Sequence, residues 1–186
     1  NYSIHAFLDK FGIKTDTGSD LDFHDHAFMW DIYKDLSPKQ AIMKAAQVTM
    51  STCAILKALW ICRNEKIDLI YTLPTESDRN TFVGSKVNRI IAQNPILRDW
   101  IVDKDSIEQK QVGDNFIHFR GTWTQRAAIM VPSDLNIYDE IDSSKQDIIE
   151  QYSTRLQHSK KKWQWYFSHP SASDFGVDRY WQKSDQ

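Results

Sequence analysis

Cysteine is scarce in this chain of 186 residues: there are two, Cys53 and Cys62, nine positions apart. They fall in one expected helix, where a rise of 1.5 Å per residue separates them by roughly 13 Å, too far for a disulfide. Two buried thiols fit a reducing compartment. Long apolar runs are absent, since no window approaches the roughly 20 residues of a membrane span. The stretch Asn1–Lys10 has no basic region followed by an apolar core, so no signal peptide is expected. The chain opens on Asn1 without an initiator methionine, which suggests a fragment, so targeting signals are not excluded. A dominant sign of charge is missing too. The formal net charge is −2, so the chain as a whole does not announce a nucleic-acid partner, although a local basic patch remains open. There are no repeats and no low-complexity segments. What is present is ordinary for a single globular domain: 41% hydrophobic and 26% charged residues, in a length that supports a sizeable core.

Residues 1–26 are mixed and polar, with turn signals at Gly12 and Thr17-Gly18-Ser19-Asp20, and read as a peripheral N-terminal arm. His24-Asp25-His26 has no cysteine nearby and lacks the spacing of a helical ligand pair, so a solvated loop outweighs a metal site. Ala27–Leu36 is apolar with aromatics and partly helical; Phe28, Trp30 and Tyr33 either pack under a sheet or stack on a planar ligand. Gln40–Ala46 reads as a buried strand, 47–52 as a polar turn, and Thr52–Arg63 as an amphipathic helix capped by Ser51, with Ile55, Leu56, Leu59 and Trp60 inward. Ile67–Leu73 is a second strand. Thr75 caps a long helix from Glu76 to about Gln93, which Pro95 breaks, and Ile96–Ile101 adds a helical turn. Residues 103–114 are charged and loop-like. Asn115–Arg120 alternates as a half-exposed strand, and Gly121 turns it towards the apolar run Ala127–Val131, giving a hairpin or two adjacent strands. Lys145–His158 is a helix opened by Ser144, Lys160-Lys161-Lys162 a charge run, Trp163–Phe167 a strong strand and 172–186 a polar tail. Strands alternating with helices argue an α/β fold with a mostly parallel sheet and right-handed crossovers.

Two features carry chemistry. The first is Asn136-Ile137-Tyr138-Asp139-Glu140-Ile141-Asp142, where adjacent carboxylates follow a near-continuous apolar run. Ligands of open α/β sheets bind outside the carboxyl ends of the strands, so Asp139 and Glu140 emerge at the reactive edge. One carboxylate there can hold Mg²⁺ and its neighbour can polarise a water. Taken alone, the pair is better read as two acids that end a strand in solvent. The second feature is the strand, turn and helix around 44–51, the layout of a phosphate loop. Against G-x-x-x-x-G-K-[ST], the residues Lys44-Ala45-Ala46-Gln47-Val48-Thr49-Met50-Ser51 match only at Ser51. No glycine is present, Met50 stands in the lysine position, and Thr49 would be strained if that position required positive φ. A loop curling round phosphate brings its first residue back to the anion, so Lys44 can supply the charge.

Lys44-Ala45-Ala46-Gln47-Val48-x-x-Ser51 resembles the deviant phosphate loop of the large terminase subunit of tailed bacteriophages, where the lysine sits at the loop's start. Ile70–Thr75 resembles that family's second strand and its Pro-Thr exit. Lys86–Ile90 and Asn94–Leu97 resemble the following helix, and Ile137–Asp142 its Walker B strand and catalytic glutamate. Phe167-Ser168-His169-Pro170-Ser171 resembles the motif coupling hydrolysis to DNA movement. The motifs agree in order and spacing over about residues 27–171. The resemblance implies a RecA-like (ASCE P-loop NTPase) fold: a mostly parallel sheet flanked by helices, with added antiparallel strands. It implies an ATP hydrolase domain over 27–171 that packages viral DNA, with 172–186 as a tail or the start of a linker to a missing nuclease domain.

The roles it implies are these. Lys44 contacts the β/γ-phosphates, and Gln47, Val48, Thr49, Met50, Ser51 and Thr52 line the loop. Ser51 and Asp139 hold Mg²⁺, Glu140 activates the attacking water, and Ser168 and His169 sense the γ-phosphate. An arginine finger is expected among Arg79, Arg89, Arg120 and Arg126, with Arg79 closest to the active edge. Implied partners are ATP, double-stranded DNA, a portal protein and the small terminase subunit, in a ring oligomer in the host cytoplasm and not at a membrane. The Lys160–Lys162 run either touches phosphate backbone or is a solvated face. Two rival readings stay open. One is a RecA-like module that has lost ATP turnover; the other is a two-metal nuclease built on Asp139, Glu140 and Asp142.

Overall fold

The computed structural model describes residues 2–24, 26–44, 49–123 and 131–184. The strands are β1 (Lys39–Met43), β2 (Leu69–Leu73), β3 (Ile101–Asp105), β4 (Gln109–Val112), β5 (Asn115–Gly121), β6 (Leu135–Asp139) and β7 (Trp163–Ser168). They form one sheet in the order β1-β7-β6-β2-β5-β4-β3. The five strands from β1 to β5 in that order run parallel, and β4 and β3 add antiparallel at the far edge. The expected α/β class is therefore the observed one.

Both central strands β2 and β6 are buried at every position, which is why they read as apolar runs rather than alternating ones. Alternation survives in the packing. Leu69, Tyr71, Ile137, Trp165 and Phe167 share one core, and Ile70, Tyr138 and Tyr166 a second one on the opposite face. The first core is organised by α3 (Met50–Asn64). Its expected one-sided burial is not what forms: Met50, Cys53, Ala54, Ile55, Leu56, Ala58, Leu59, Trp60, Ile61 and Cys62 are all buried, as is Lys57. Each large side chain buried in this way contributes roughly 1.5–3 kcal/mol. The N-terminal segment shares that core. Ile4, Phe7 and Leu8 of α1 (Ile4–Phe11), with Ile13 and Phe23, are buried in it, as are Met29 and Tyr33 of α2 (Met29–Lys34). The segment expected to be peripheral is thus packed, because an amphipathic turn of helix places Ile4, Phe7 and Leu8 on one face. The second core is covered by α7 (Gln146–Ser153), which supplies Ile148, Ile149 and Tyr152, and by Val177 of α8 (Gly176–Trp181).

The helix expected from Glu76 to Gln93 is present as α4 (Glu76–Phe82), a π-helical turn (Val83–Val87) and α5 (Asn88–Gln93). Thr75 caps it with a full capping box, Thr75 Oγ1 accepting from Asp78 N and Asp78 Oδ2 from Thr75 N. Pro95 then opens the short α6 (Pro95–Arg98), a position that suits a residue without an amide hydrogen.

Residues 103–114, expected as loop, instead contain β4 and most of β3. Four of the five β3 side chains are exposed, so no apolar alternation marks them. The expected pairing of 115–120 with 127–131 lies mostly outside the described residues, and β5 is flanked by β2 and β4. Gly121 ends β5 at a close approach: a Cβ there would lie 2.7 Å from Glu76 N.

Candidate active site

Parallel register brings the sequence motifs to one edge. Met43 at the end of β1 pairs with Ser168 of β7, and Asp139 at the end of β6 pairs with Phe167. The next residues along each strand, Lys44, Glu140 and His169, therefore leave the sheet side by side. Lys44 N donates to Ser168 O at 2.9 Å, which carries the β1–β7 ladder one residue past the strand.

The side chains close the cluster. Lys44 Nζ lies 2.7 Å from Asp139 Oδ1 and 2.7 Å from Glu140 Oε1. Lys44 and Asp139 are 6% and 3% exposed in their side chains, whereas Glu140 is 34% exposed and faces outward. Burial by itself would lower the Lys44 pKa. The carboxylates of Asp139 and Glu140 outweigh it and hold the ammonium above its usual value. Glu140 Oε2 is 3.6 Å from His169 Nδ1. Glu140 itself occupies the left-handed region, φ 54° and ψ 47°, which costs a non-glycine residue roughly 1–3 kcal/mol and is commonly found at functional positions.

One member of the cluster carried no signal in the sequence. Tyr71, fully buried on β2, donates its hydroxyl to Asp139 Oδ2 at 2.7 Å. Burial, reinforced by the Asp139 charge, raises its pKa well above the usual phenol value, so it stays a donor. Asp139 is thereby held from two sides, by a cation from β1 and a hydroxyl from β2.

The loop between Lys44 and α3 includes Ala45, Ala46, Gln47 and Val48, so the expected phosphate contacts of Gln47 and Val48 lie outside the described residues. Thr49 is described, and its φ of −68° removes the strain that a β-branched residue would suffer at positive φ. Ser51 does not cap α3; the cap position belongs to Thr49, whose side chain makes no cap hydrogen bond. The first amide groups of this 15-residue helix are thus not capped by Thr49, and a helix start of this kind suits an anion. Met50 and Thr52 are buried, Met50 in the first core. The position where the standard pattern has lysine is therefore buried in the core. Ser168 is fully buried, and its hydroxyl accepts from Asp142 N at 3.2 Å and donates to His169 O at 3.1 Å.

Arg79 is not drawn into this cluster. Its Nη1 pairs with Glu108 Oε1 at 3.2 Å, and its Nε and Nη2 donate to Asn80 Oδ1, with only 6% of the residue exposed. Arg120 Nη1 donates to the carbonyls of Glu108 and Phe119. Arg126 lies outside the described residues. The carboxylate of Asp142 turns away from Asp139 and Glu140 to the backbone of Ser171 and Val177. The three acids of the nuclease reading are therefore not assembled, and among the described residues no group of three His, Cys, Asp or Glu side chains is arranged to hold a metal. Beside Glu140, on the β2 side, opens a cleft of about 450 Å³ lined by Pro74, Asp78, Phe82, Lys86 and Ser143 among others.

Comparison with known proteins adds the following. The family model described as the phage terminase large subunit gpA, ATPase domain, matches residues 29–186. No curated protein sequence matches the chain. Among solved structures, the large terminase of bacteriophage HK97 is similar with a TM-score of 0.77 at 14% identity, over 96% of this chain and 40% of that one. The ATPase domain of the Thermus phage P74-26 large terminase is similar with a TM-score of 0.68 at 12% identity, over 90% of this chain and 69% of that one. At such identities the likeness is one of fold, and the chain spans 40% of the HK97 protein's length.

Proposed function

The chain belongs to the ATPase-domain family of gpA-type phage terminase large subunits, and from that premise we propose that it binds and hydrolyses MgATP to drive double-stranded DNA into a viral capsid. The observation that carries this reading is the ammonium of Lys44 held between Asp139 and Glu140 at the end of the phosphate-loop strand. A cation already sits between the two carboxylates, and phosphoryl transfer needs positioning and charge neutralisation at that place.

In the proposed roles, Lys44 leaves the carboxylates to meet the β/γ-phosphates, and Gln47, Val48, Thr49, Met50, Ser51 and Thr52 wrap them with main-chain amides. The oxygen donors of Ser51 and Asp139 are of the kind Mg²⁺ prefers, and the Lys44 ammonium stands in for a cation beside Asp139. When bound, Mg²⁺ would neutralise charge on the phosphates. Glu140, more exposed than Asp139, accepts the proton of the attacking water. Ser168 and His169 report on the γ-phosphate from β7. Arg79 is a finger only if it leaves Glu108. Further partners on this reading are a portal protein, the small terminase subunit and other copies of the chain in a ring, in the cytoplasm of the infected host. Among the described residues no helix is long and apolar enough to cross a membrane.

Calorimetric titration with a non-hydrolysable MgATP analogue tests it, using the parent chain, Lys44→Ala and Glu140→Gln. Binding by the parent, loss of binding in Lys44→Ala, and retained binding in Glu140→Gln is the expected pattern, with Glu140→Gln failing to release phosphate from ATP in a parallel turnover assay. Absence of binding in the parent, or equal binding by parent and Lys44→Ala, overturns it.

A further inference from the structure

Glu140 needs something to hold its left-handed backbone. Its carbonyl accepts from Ser143 N at 3.0 Å and from Ser144 Oγ at 3.2 Å, closing a 3-10 turn over Ile141–Ser143. Two residues beyond Glu140, Asp142 is gripped at both ends. Its main-chain N donates to Ser168 Oγ at 3.2 Å. Its Oδ2 accepts from Ser171 N at 2.8 Å and from Ser171 Oγ at 2.7 Å, and its Oδ1 accepts from Val177 N at 2.8 Å.

These partners come from three places. Ser168 ends β7, Ser171 lies in the loop that carries His169, and Val177 is in the first turn of α8, which packs against β1 and β7. The seat is shaped for the carboxylate. Gly176 has φ +53°, and a Cβ there would fall 2.2 Å from Asp142 Oδ1, so any other residue would push the carboxylate out.

We propose that Asp142 is a positioning residue, which fixes the turn at Glu140 and the His169 loop in one relation and anchors both on α8. What Glu140 does chemically rests on the ATPase reading; that Asp142 holds the turn is a statement about the free protein.

Asp142→Asn is the informative change. It keeps size and shape, but an amide has one acceptor oxygen, so its NH₂ must face the N–H of either Ser171 or Val177. Two readouts follow, on the parent chain, Asp142→Asn, Gly176→Ala and the double variant. The first is amide hydrogen exchange without nucleotide. Loss of protection is expected at Ser143, whose amide bonds Glu140 and not the Asp142 carboxylate. The second is steady-state hydrolysis. A fall in kcat of about 10- to 100-fold is expected from a displaced base, with affinity for a non-hydrolysable analogue unchanged within about two-fold, as befits an interaction needed for chemistry rather than binding. Gly176→Ala should reproduce both, and the double variant should be no worse than either single one, since both act on one contact.

Unchanged exchange at Ser143 in Asp142→Asn overturns the proposal and leaves Asp142 as a cap of α8. Unchanged kcat in Asp142→Asn, with a parent that hydrolyses ATP, also overturns it. A parent that neither binds nor hydrolyses ATP defeats the ATPase reading by itself, while the exchange at Ser143 still decides whether Asp142 holds the turn.

Discussion

Tyr71 on β2 donates its hydroxyl to Asp139 on β6 at 2.7 Å, so the acid at the centre of the site is held by a neighbouring strand as well as by Lys44. Tyr71→Phe removes the hydroxyl and keeps the ring, which stacks on Phe82 with centroids 5.2 Å apart. The buried Asp139 Oδ2 then loses its donor, at a cost of about 1–3 kcal/mol. The expected result is a lower urea midpoint at unchanged m-value, and a fall in melting temperature of about 2–4 °C per kcal/mol for a domain of this size. An unaltered midpoint would mean that water replaces the hydroxyl without loss.

The Lys44–Asp139 pair makes a different prediction. Both side chains are almost fully buried, so removing Lys44 strands the Asp139 charge, and removing Asp139 leaves Lys44 only the half-exposed Glu140. Lys44→Met is expected to destabilise the nucleotide-free protein by about 3–5 kcal/mol, and Asp139→Asn by less, since Glu140 still pairs with Lys44. The double variant should be less harmful than the sum, because neither charge is left alone. Strict additivity in chemical denaturation would show that the two do not interact.

Acid stability is expected to depend on His118. It is buried on β5, and its Nδ1 has no hydrogen-bond partner among the described residues. Burial, with the Arg120 charge beside it, lowers its pKa from 6.5 to about 4. The folded state thus keeps the imidazole neutral where the unfolded chain protonates it. Its contribution to stability is complete above pH 6.5 and is lost as the pH falls through about 4. Unfolding free energy measured across that window should decline with acidification, and His118→Gln should flatten the decline.

Lys57 is buried in the middle of α3, and its ammonium is held by carbonyl oxygens. Nζ donates to Ile32 O, Asp35 O and Gln40 Oε1 at 2.8, 2.7 and 3.2 Å and lies 4.3 Å from the centroid of a Trp165 ring. Burial brings its pKa down to about 8. Lys57→Met keeps the volume and removes every donor, so the carbonyls joining α2 to β1 lose their partner. A destabilisation of about 1–3 kcal/mol is expected, read by urea unfolding. A gain in stability would mean that relief of the buried charge outweighs the lost hydrogen bonds.

Much of this was legible in the residues. The alternation of strands and helices, the Thr75 cap, the Pro95 break and the apolar run into Asp139-Glu140 each state a local preference, and local preference is what a linear reading detects. The misses have physical reasons as well. The edge strand β3 and its neighbour β4 are polar and paired through main-chain groups, which leave no apolar alternation in the sequence. The N-terminal segment looked peripheral because its few apolar residues are spread between polar ones, yet Ile4, Phe7, Leu8, Ile13 and Phe23 fold onto one core. In fully buried β2, every residue looks equally internal, so nothing marked Tyr71 as the one facing Asp139.

The sequence by itself determined the class of fold and the identity of the charged groups at the reactive edge, because periodicity and the ends of apolar runs are written in neighbouring residues. Only the tertiary structure decided how those groups are used. Lys44 and Asp139 stand 95 positions apart, and Tyr71 and Asp139 stand 68 apart. Asp142 was one of three acids in a row of candidates until Ser171, Gly176 and Val177 folded round it. Contacts at such separations depend on strand order and register, and these are properties of the whole sheet rather than of any stretch of it.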